Sequence, residues 1–407
     1  MALKVQKYGG TSVADIARIK NVATRVVRTY NEGNSVVVVL SAMAGVTNEL
    51  IALANNASKS PDKHELDVLL ATGEQTTAAL LAIILKSMGY SAKSLLGFQA
   101  GILTDRTPGK ARILEIQSNR IKELIIRGYI VVVAGFQGRD INGDITTLGR
   151  GGSDTSAVAI ASAVDADVCE IYTDVDGVYT TDPKICDKAK KINIISYDEM
   201  LEMAILGAKV LQIRSVEFAK KYNVPIHVRS SFSEEDGTMV VNESSDMESV
   251  VVSGITCDKN EARITFKKVP DQPGISAKIF SPLADEEIMV DMIIQNTRSG
   301  GETDLTFTVT KDDFQKAKEI SEKIAKEVGA EEVLIAQDIA KVSVIGLGMK
   351  SHSGVAAAMF SALASENINI RLISTSEIRI SCIVQAKYAE LAVRALHSAF
   401  GLDHEKA

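Results

Sequence analysis

Cysteine and histidine are scarce in this chain of 407 residues, with four of the first and five of the second. Cys169, Cys186, Cys257 and Cys382 are far apart and match no metal-ligand spacing. They read as buried or incidental thiols in a reducing compartment. No two histidines stand at H-x-x-x-H spacing. Clustered positive charge is also missing: 45 Lys+Arg face 52 Asp+Glu, for a net charge of −7. That excludes nucleic acid and polyanionic surfaces as expected partners. Long apolar runs are absent too. Val36–Leu40 and Ala78–Leu85 are far too short to span a bilayer, and Met1-Ala2-Leu3-Lys4-Val5 reads as the start of a strand, not as a signal peptide. No membrane association is expected, and the cytoplasm is the expected location.

The rest of the composition is that of a soluble globular chain, with 46% hydrophobic and 24% charged residues. The length suits two or three domains. Up to about residue 245, strand and helix signals alternate. Strands are expected at Leu3–Lys7, Val36–Leu40, Ile130–Ala134, Val168–Tyr172 and Ile226–Arg229. Helices are expected at Asp15–Tyr30, Leu66–Met88, Ile113–Arg127, Thr155–Val164, Glu199–Ala204 and Val210–Tyr222. Such alternation means an α/β domain with a mainly parallel sheet sandwiched by helices, over residues 1–245. Residues 264–335 and 341–407 contain an internal repeat, aligning Gly274-Ile275-Ser276-Ala277 with Gly354-Val355-Ala356-Ala357. Each copy reads as a small ferredoxin-like βαββαβ module. The strand expected at Val250–Thr256 precedes the first copy and is a candidate to complete the sheet of the second, an arrangement that makes the first an insertion.

Chemistry-bearing residues gather at the ends of the expected strands, the edge where open α/β sheets bind ligands. The densest group is Thr147-Leu148-Gly149-Arg150-Gly151-Gly152-Ser153-Asp154-Thr155. Its glycines permit close backbone approach, a helix start offers N–H groups to an anion, Arg150 brings a planar fork for carboxylate or phosphate, and Asp154 a carboxylate to orient a lysine or metal. The loop Lys7-Tyr8-Gly9-Gly10-Thr11-Ser12 after the first strand has the form of a phosphate cradle. It is neither G-x-x-x-x-G-K-[ST] nor G-x-G-x-x-G. Ser41-Ala42-Met43-Ala44-Gly45-Val46-Thr47-Asn48 follows the second strand. Glu74 is read at the start of an amphipathic helix, as a dipole partner or a partner for a ligand ammonium. Thr173-Asp174-Val175-Asp176-Gly177-Val178-Tyr179-Thr180-Thr181-Asp182-Pro183-Lys184 is a further strand-end segment.

These segments, with Gly207-Ala208-Lys209-Val210-Leu211, resemble the motifs of aspartate kinases in the amino acid kinase superfamily, and the repeat resembles their paired ACT domains. The resemblance covers essentially the whole chain. One departure stands after Leu211, where the commoner pattern has His-Pro and this chain has Gln212-Ile213.

The resemblance implies ATP-dependent phosphorylation of the L-aspartate β-carboxylate to 4-phospho-L-aspartate, the first step toward lysine, threonine, methionine and isoleucine. ATP is the co-substrate and Mg²⁺ is held largely through the phosphates, so no dedicated protein metal site is expected. Lys7 would stabilise the transferring phosphoryl group and Asp154 would orient it. Thr47, Glu74, Arg150 and Ser153 would hold aspartate. Lys7, Gly9, Gly10, Ser41, Thr173, Asp174, Tyr179, Lys184 and Lys209 would contact the nucleotide. Asp271, Gln295 and Asn296 of the first module and Asn369 and Ile370 of the second match effector-binding positions, for threonine, lysine or both. Paired modules also imply a homo-oligomer or a two-chain oligomer, and Met247 stands where a separately made regulatory chain would start. No fused homoserine dehydrogenase is expected. Competing readings are another amino acid kinase, acting on glutamate derivatives, and a non-catalytic amino-acid sensor. The Lys-Tyr-Gly-Gly-Thr-Ser opening and the repeat count against the first. Intact Lys7, Glu74, Arg150 and Asp154 count against the second.

Overall fold

The computed structural model describes residues 2–208, 210–244, 250–298 and 300–403. Lys209, Met247 and the expected domain end at residue 245 lie outside the described residues. The chain divides into two compact units. The first comprises Met1–Tyr179, Lys191–Ile205 and Lys209–Glu248; the second comprises Thr180–Lys190, Leu206–Ala208 and Ser249–Ala407.

In chain order the first unit contains β1 (Leu3–Tyr8), α1 (Ile16–Asn31), β2 (Ser35–Leu40), α2 (Val46–Ala57), α3 (Lys63–Ser87), β3 (Ala92–Leu95), β4 (Ile102–Thr104), β5 (Ile113–Ile116), α4 (Asn119–Ile126), β6 (Ile130–Ala134), β7 (Gln137–Arg139), β8 (Ile145–Thr147), α5 (Gly152–Ala163), β9 (Val168–Thr173), β10 (Ile194–Ser196), α6 (Tyr197–Ile205), α7 (Ile213–Tyr222), β11 (Ile226–Ser230) and β12 (Thr238–Val241). Eight strands form one sheet in the order β10-β12-β11-β9-β1-β2-β6-β3. Every neighbouring pair is parallel except β11 and β12. β2 and β6 are β-branched runs with both faces buried, as the centre of a parallel sheet requires. Helices α1 and α3 cover one face around Val36, Val38, Leu40, Ile130 and Val132, and α5 packs on the other face against β1, β2 and β9. Asp15 caps α1 by accepting from Arg18 N at 2.8 Å. A smaller sheet, β5-β4-β7-β8, delivers the chain to Leu148 and the glycine loop.

Two expectations change. Ile113–Arg127 is not one helix: Ile113–Ile116 is a strand antiparallel to β4, and the helix is only Asn119–Ile126. Glu74 does not start a helix. It lies in the middle of α3, beyond the reach of its N-terminal dipole. By length and composition α3 would cross a membrane, but half of its most apolar stretch is buried in the protein, along with Asp67 and Glu74.

The second unit contains β13 (Gly254–Pro270), α8 (Ile275–Asp285), β14 (Val290–Thr297), β15 (Glu302–Thr310), α9 (Phe314–Val328), β16 (Glu332–Ile345), α10 (Val355–Ser365), β17 (Leu372–Thr375), β18 (Arg379–Gln385) and α11 (Ala389–Ala399). They form one six-stranded sheet, β14-β15-β13-β16-β18-β17. The two long central strands serve both modules. Gly254–Asp258 pairs with Lys341–Ile345, and Arg263–Lys267 pairs with Glu332–Ala336. Of the strand expected at Val250–Thr256 only Gly254–Thr256 is strand, and it opens a 17-residue one; Val250–Ser253 lie outside it. Two apolar cores form, one around Phe266, Ile279 and Phe307, the other around Val344, Met359 and Leu396. Lys341 is 3% exposed and reaches Glu261 at 2.5 Å and also Asp291. The segment Thr180–Lys190 belongs to this unit. Ile255 N donates to Thr180 O, the Thr180 hydroxyl and buried His397 Nε2 share a hydrogen bond of 2.9 Å, and Ile185 packs on the second core.

Candidate active site

Strand alternation turns Lys7 toward the α5 face, between Gln6 and Tyr8 on the other. Its ammonium is nearly buried and lies 2.5 Å from Asp154 Oδ1 in an ion pair. Asp154 occupies the first turn of α5, where the N–H groups of a helix lack intrahelical acceptors. Gly151, at φ 68°, is the left-handed residue that starts this helix. The helix therefore opens inside the glycine loop, three residues before the expected Thr155.

A cleft of about 820 Å³ lies over this pair. Lys7, Gly10, Ser41, Thr47, Glu74, Arg150, Ser153 and Asp154 all line it. Gly9 sits beside the Lys7 ammonium, and its N–H donates to Tyr172 O at 3.3 Å. Thr173, Asp174 and Tyr179 continue from the C-terminal end of β9 and are not part of the cleft lining. The Tyr179 hydroxyl donates to Asp176 at 3.0 Å. Burial first, then this bond, pushes the phenol up to about 12. Lys184 is exposed and belongs to the second unit.

Glu74 is buried, and one carboxylate oxygen accepts from Ala42 N at 3.0 Å while the other has no protein partner. Burial raises its carboxyl to about 7 against the pull of that N–H. Gly73 makes the arrangement possible, because a Cβ there would lie 2.7 Å from the Ala42 Cβ. An anionic Glu74 facing the cleft suits a cationic group of a ligand, and exposed Arg150 on the same cleft suits an anionic one.

Sequence reasoning missed the residues that hold the loop. Asp67 is 1% exposed and accepts from Gly109 N, Thr147 N and the Thr147 hydroxyl. It stands seven residues before Glu74, a spacing that puts both carboxylates on one face of α3; that spacing was the available signal. Arg214 donates to Leu148 O at 2.6 Å and to Ala111 O at 3.0 Å. No local pattern announces it. Among the described residues no group of three or more His, Cys, Asp or Glu side chains is placed to hold a metal ion.

In the second unit, Gln295 and Asn296 are exposed on edge strand β14, and Asp271 is exposed in the loop after β13. Asn369 and Ile370 precede β17, the opposite edge of the same sheet.

The amino acid kinase family model matches residues 2–230, and an ACT domain model matches residues 267–323 and 342–400. Fold and site thus define an amino acid kinase joined to a repeated ACT module. The aspartate kinase of Pseudomonas putida is 54% identical over 404 residues, covering 99% of this chain and 98% of that protein. Escherichia coli aspartokinase III is 28% identical in two solved forms. The complex with aspartate and ADP (R-state) gives a TM-score of 0.80, covering 98% of this chain and 99% of that one. The complex with lysine and aspartate (T-state) gives 0.78 over the same shares. The chain belongs to the aspartate kinase family.

Proposed function

We propose that this enzyme transfers the γ-phosphoryl group of ATP to the β-carboxylate of L-aspartate, giving 4-phospho-L-aspartate for the biosynthesis of lysine, threonine, methionine and isoleucine. The observation that carries the reading is the Lys7–Asp154 pair on a cleft that also presents Arg150 and Glu74. Phosphoryl transfer needs little covalent chemistry from a protein; it needs alignment and positive charge on the migrating group. Lys7 supplies that charge and Asp154 fixes its position. Arg150 takes the α-carboxylate of aspartate, and Glu74 takes its α-ammonium. Thr47 and Ser153 hydrogen-bond the acceptor. Ser41 and the Gly10 backbone lie beside the phosphates, and Thr173, Asp174 and Tyr179 contact the nucleotide. Mg²⁺ would be held chiefly by ATP oxygens and would neutralise phosphate charge, with Asp154 holding one of its waters.

A coupled ADP-release assay with aspartate, ATP and Mg²⁺ tests the reading. Lys7→Ala is expected to lower kcat by roughly 10²–10³ while ATP still binds, the usual loss on removing one electrostatic donor. Near-normal turnover in that variant would remove Lys7 from the chemistry.

The ACT modules are proposed to carry feedback inhibition by threonine, lysine or both, with Asp271, Gln295, Asn296, Asn369 and Ile370 as effector contacts. β14 and β17 are the two edges of a six-stranded sheet, so their residues stand about 24 Å apart at the usual strand spacing. One amino acid cannot bridge that gap, which supports pairing of modules from two chains. Exposed strand edges favour such pairing. Velocity assays with each amino acid and with both are expected to show inhibition in at least one case; none in any would refute the regulatory reading.

A further inference from the structure

Gln212 occupies the position where the chain departs from the pattern it resembles, and its side chain is built into the Arg150 loop. Nε2 donates to the Arg150 backbone carbonyl at 2.9 Å, and Oε1 accepts from Ile213 N at 3.0 Å. These contacts fix the orientation of the amide, because a carbonyl only accepts and a backbone N–H only donates. The Gln212 side chain also lies against left-handed Gly151. A Cβ at residue 151 would fall 2.1 Å from Gln212 Cγ. One residue thus caps α7, clasps the carbonyl of Arg150 and requires the glycine that follows it.

We infer that Gln212 is a positioning residue for acceptor recognition, acting through Arg150. The Arg150 side chain is exposed and lines the cleft from a turn. On the far side Asp67 anchors Thr147 and Arg214 holds Leu148 O; on the near side the Gln212 amide closes the clamp. The pair Gln212-Ile213 is also a self-consistent replacement for His-Pro. A proline at the first position of a helix has no N–H to satisfy, so a histidine before it needs only one donor for the loop carbonyl. Isoleucine brings an N–H back, and only a side chain with both a donor and an acceptor serves both groups.

The inference rests on the proposed contact between Arg150 and aspartate, and steady-state kinetics of the full chain separates the two. Gln212→Leu loses both bonds. Gln212→Glu keeps the acceptor for Ile213 N and the side-chain shape but loses the donor, so it preserves the fold if the leucine variant does not. Both are expected to raise the aspartate KM roughly three- to tenfold, the net worth of one hydrogen bond. The ATP KM and kcat should stay within about twofold, the separation expected when only acceptor binding is lost. The double variant Gln212→His/Ile213→Pro is expected to restore the aspartate KM. An unchanged aspartate KM in both single variants, beside a raised one in Arg150→Ala, overturns the role of Gln212 alone. An unchanged value in all three also overturns the Arg150 assignment. A joint fall in kcat and in both affinities, with a lowered Tm, marks Gln212 as scaffold only and overturns the inference.

Discussion

Burial raises the Glu74 carboxyl to about 7, with the Ala42 N–H pulling the other way. An ammonium group of a ligand needs the ionised form, so aspartate binding is expected to expel a proton below about pH 7. The aspartate KM should then fall as pH rises from 6 to 8, and calorimetry in buffers of different ionisation heat should register the proton. Glu74→Gln is expected to raise the KM and flatten its pH dependence. The stability effect has the opposite sign. A carboxyl with a higher pKa in the folded chain binds more protons there, so its contribution is full below about 4.5 and is lost as pH rises through about 7. The Tm of Glu74→Gln relative to the parent should therefore improve between pH 5 and 8, by the equivalent of at most roughly 3 kcal/mol.

At the scale of elements, β13 and β16 are the shared spine of the two modules, and Lys341 is pinned between Glu261 on β13 and Asp291 on β14. Burial raises the Glu261 carboxyl and the Lys341 charge opposes that shift. Removing one partner strands a buried charge. Lys341→Met is expected to cost about 3–5 kcal/mol, measured by urea unfolding, and adding Glu261→Leu should recover much of that loss.

The elements best read from sequence are those whose burial is uniform. β2 and β6 are apolar on both faces, and α1 shows a clean buried stripe behind a capping aspartate. β5 was lost because Ile113-Leu114-Glu115-Ile116 is short, half exposed and apolar at helix-compatible spacing. In the site, Lys7, Arg150 and Asp154 were legible because strand-end loops give local signals. Asp67, Gln212 and Arg214 hold the loop through partners 42 to 103 residues away, and a linear pattern carries no trace of such distances.

At the scale of the molecule, the order of elements along the chain does not match the division into units. The Thr180–Lys190 segment interrupts the first unit yet folds with the second. A chain ending at residue 248 lacks Ile255, Arg394 and His397, all of which hold that segment. Limited proteolysis with mass spectrometry is expected to cut the truncated chain within residues 180–190 and to spare the same bonds in the full chain.

The contact between Thr180 and His397 spans 217 positions. A ribosome adding about 5–20 residues per second needs roughly 10–40 s to make that stretch. During that interval Thr180 lacks its His397 partner, while β10, β11 and β12 are made and complete the sheet around β1 and β9. The contacts of the 180–190 loop are thus completed only when α11 is made, and a nascent chain offers that loop to proteases and chaperones until then.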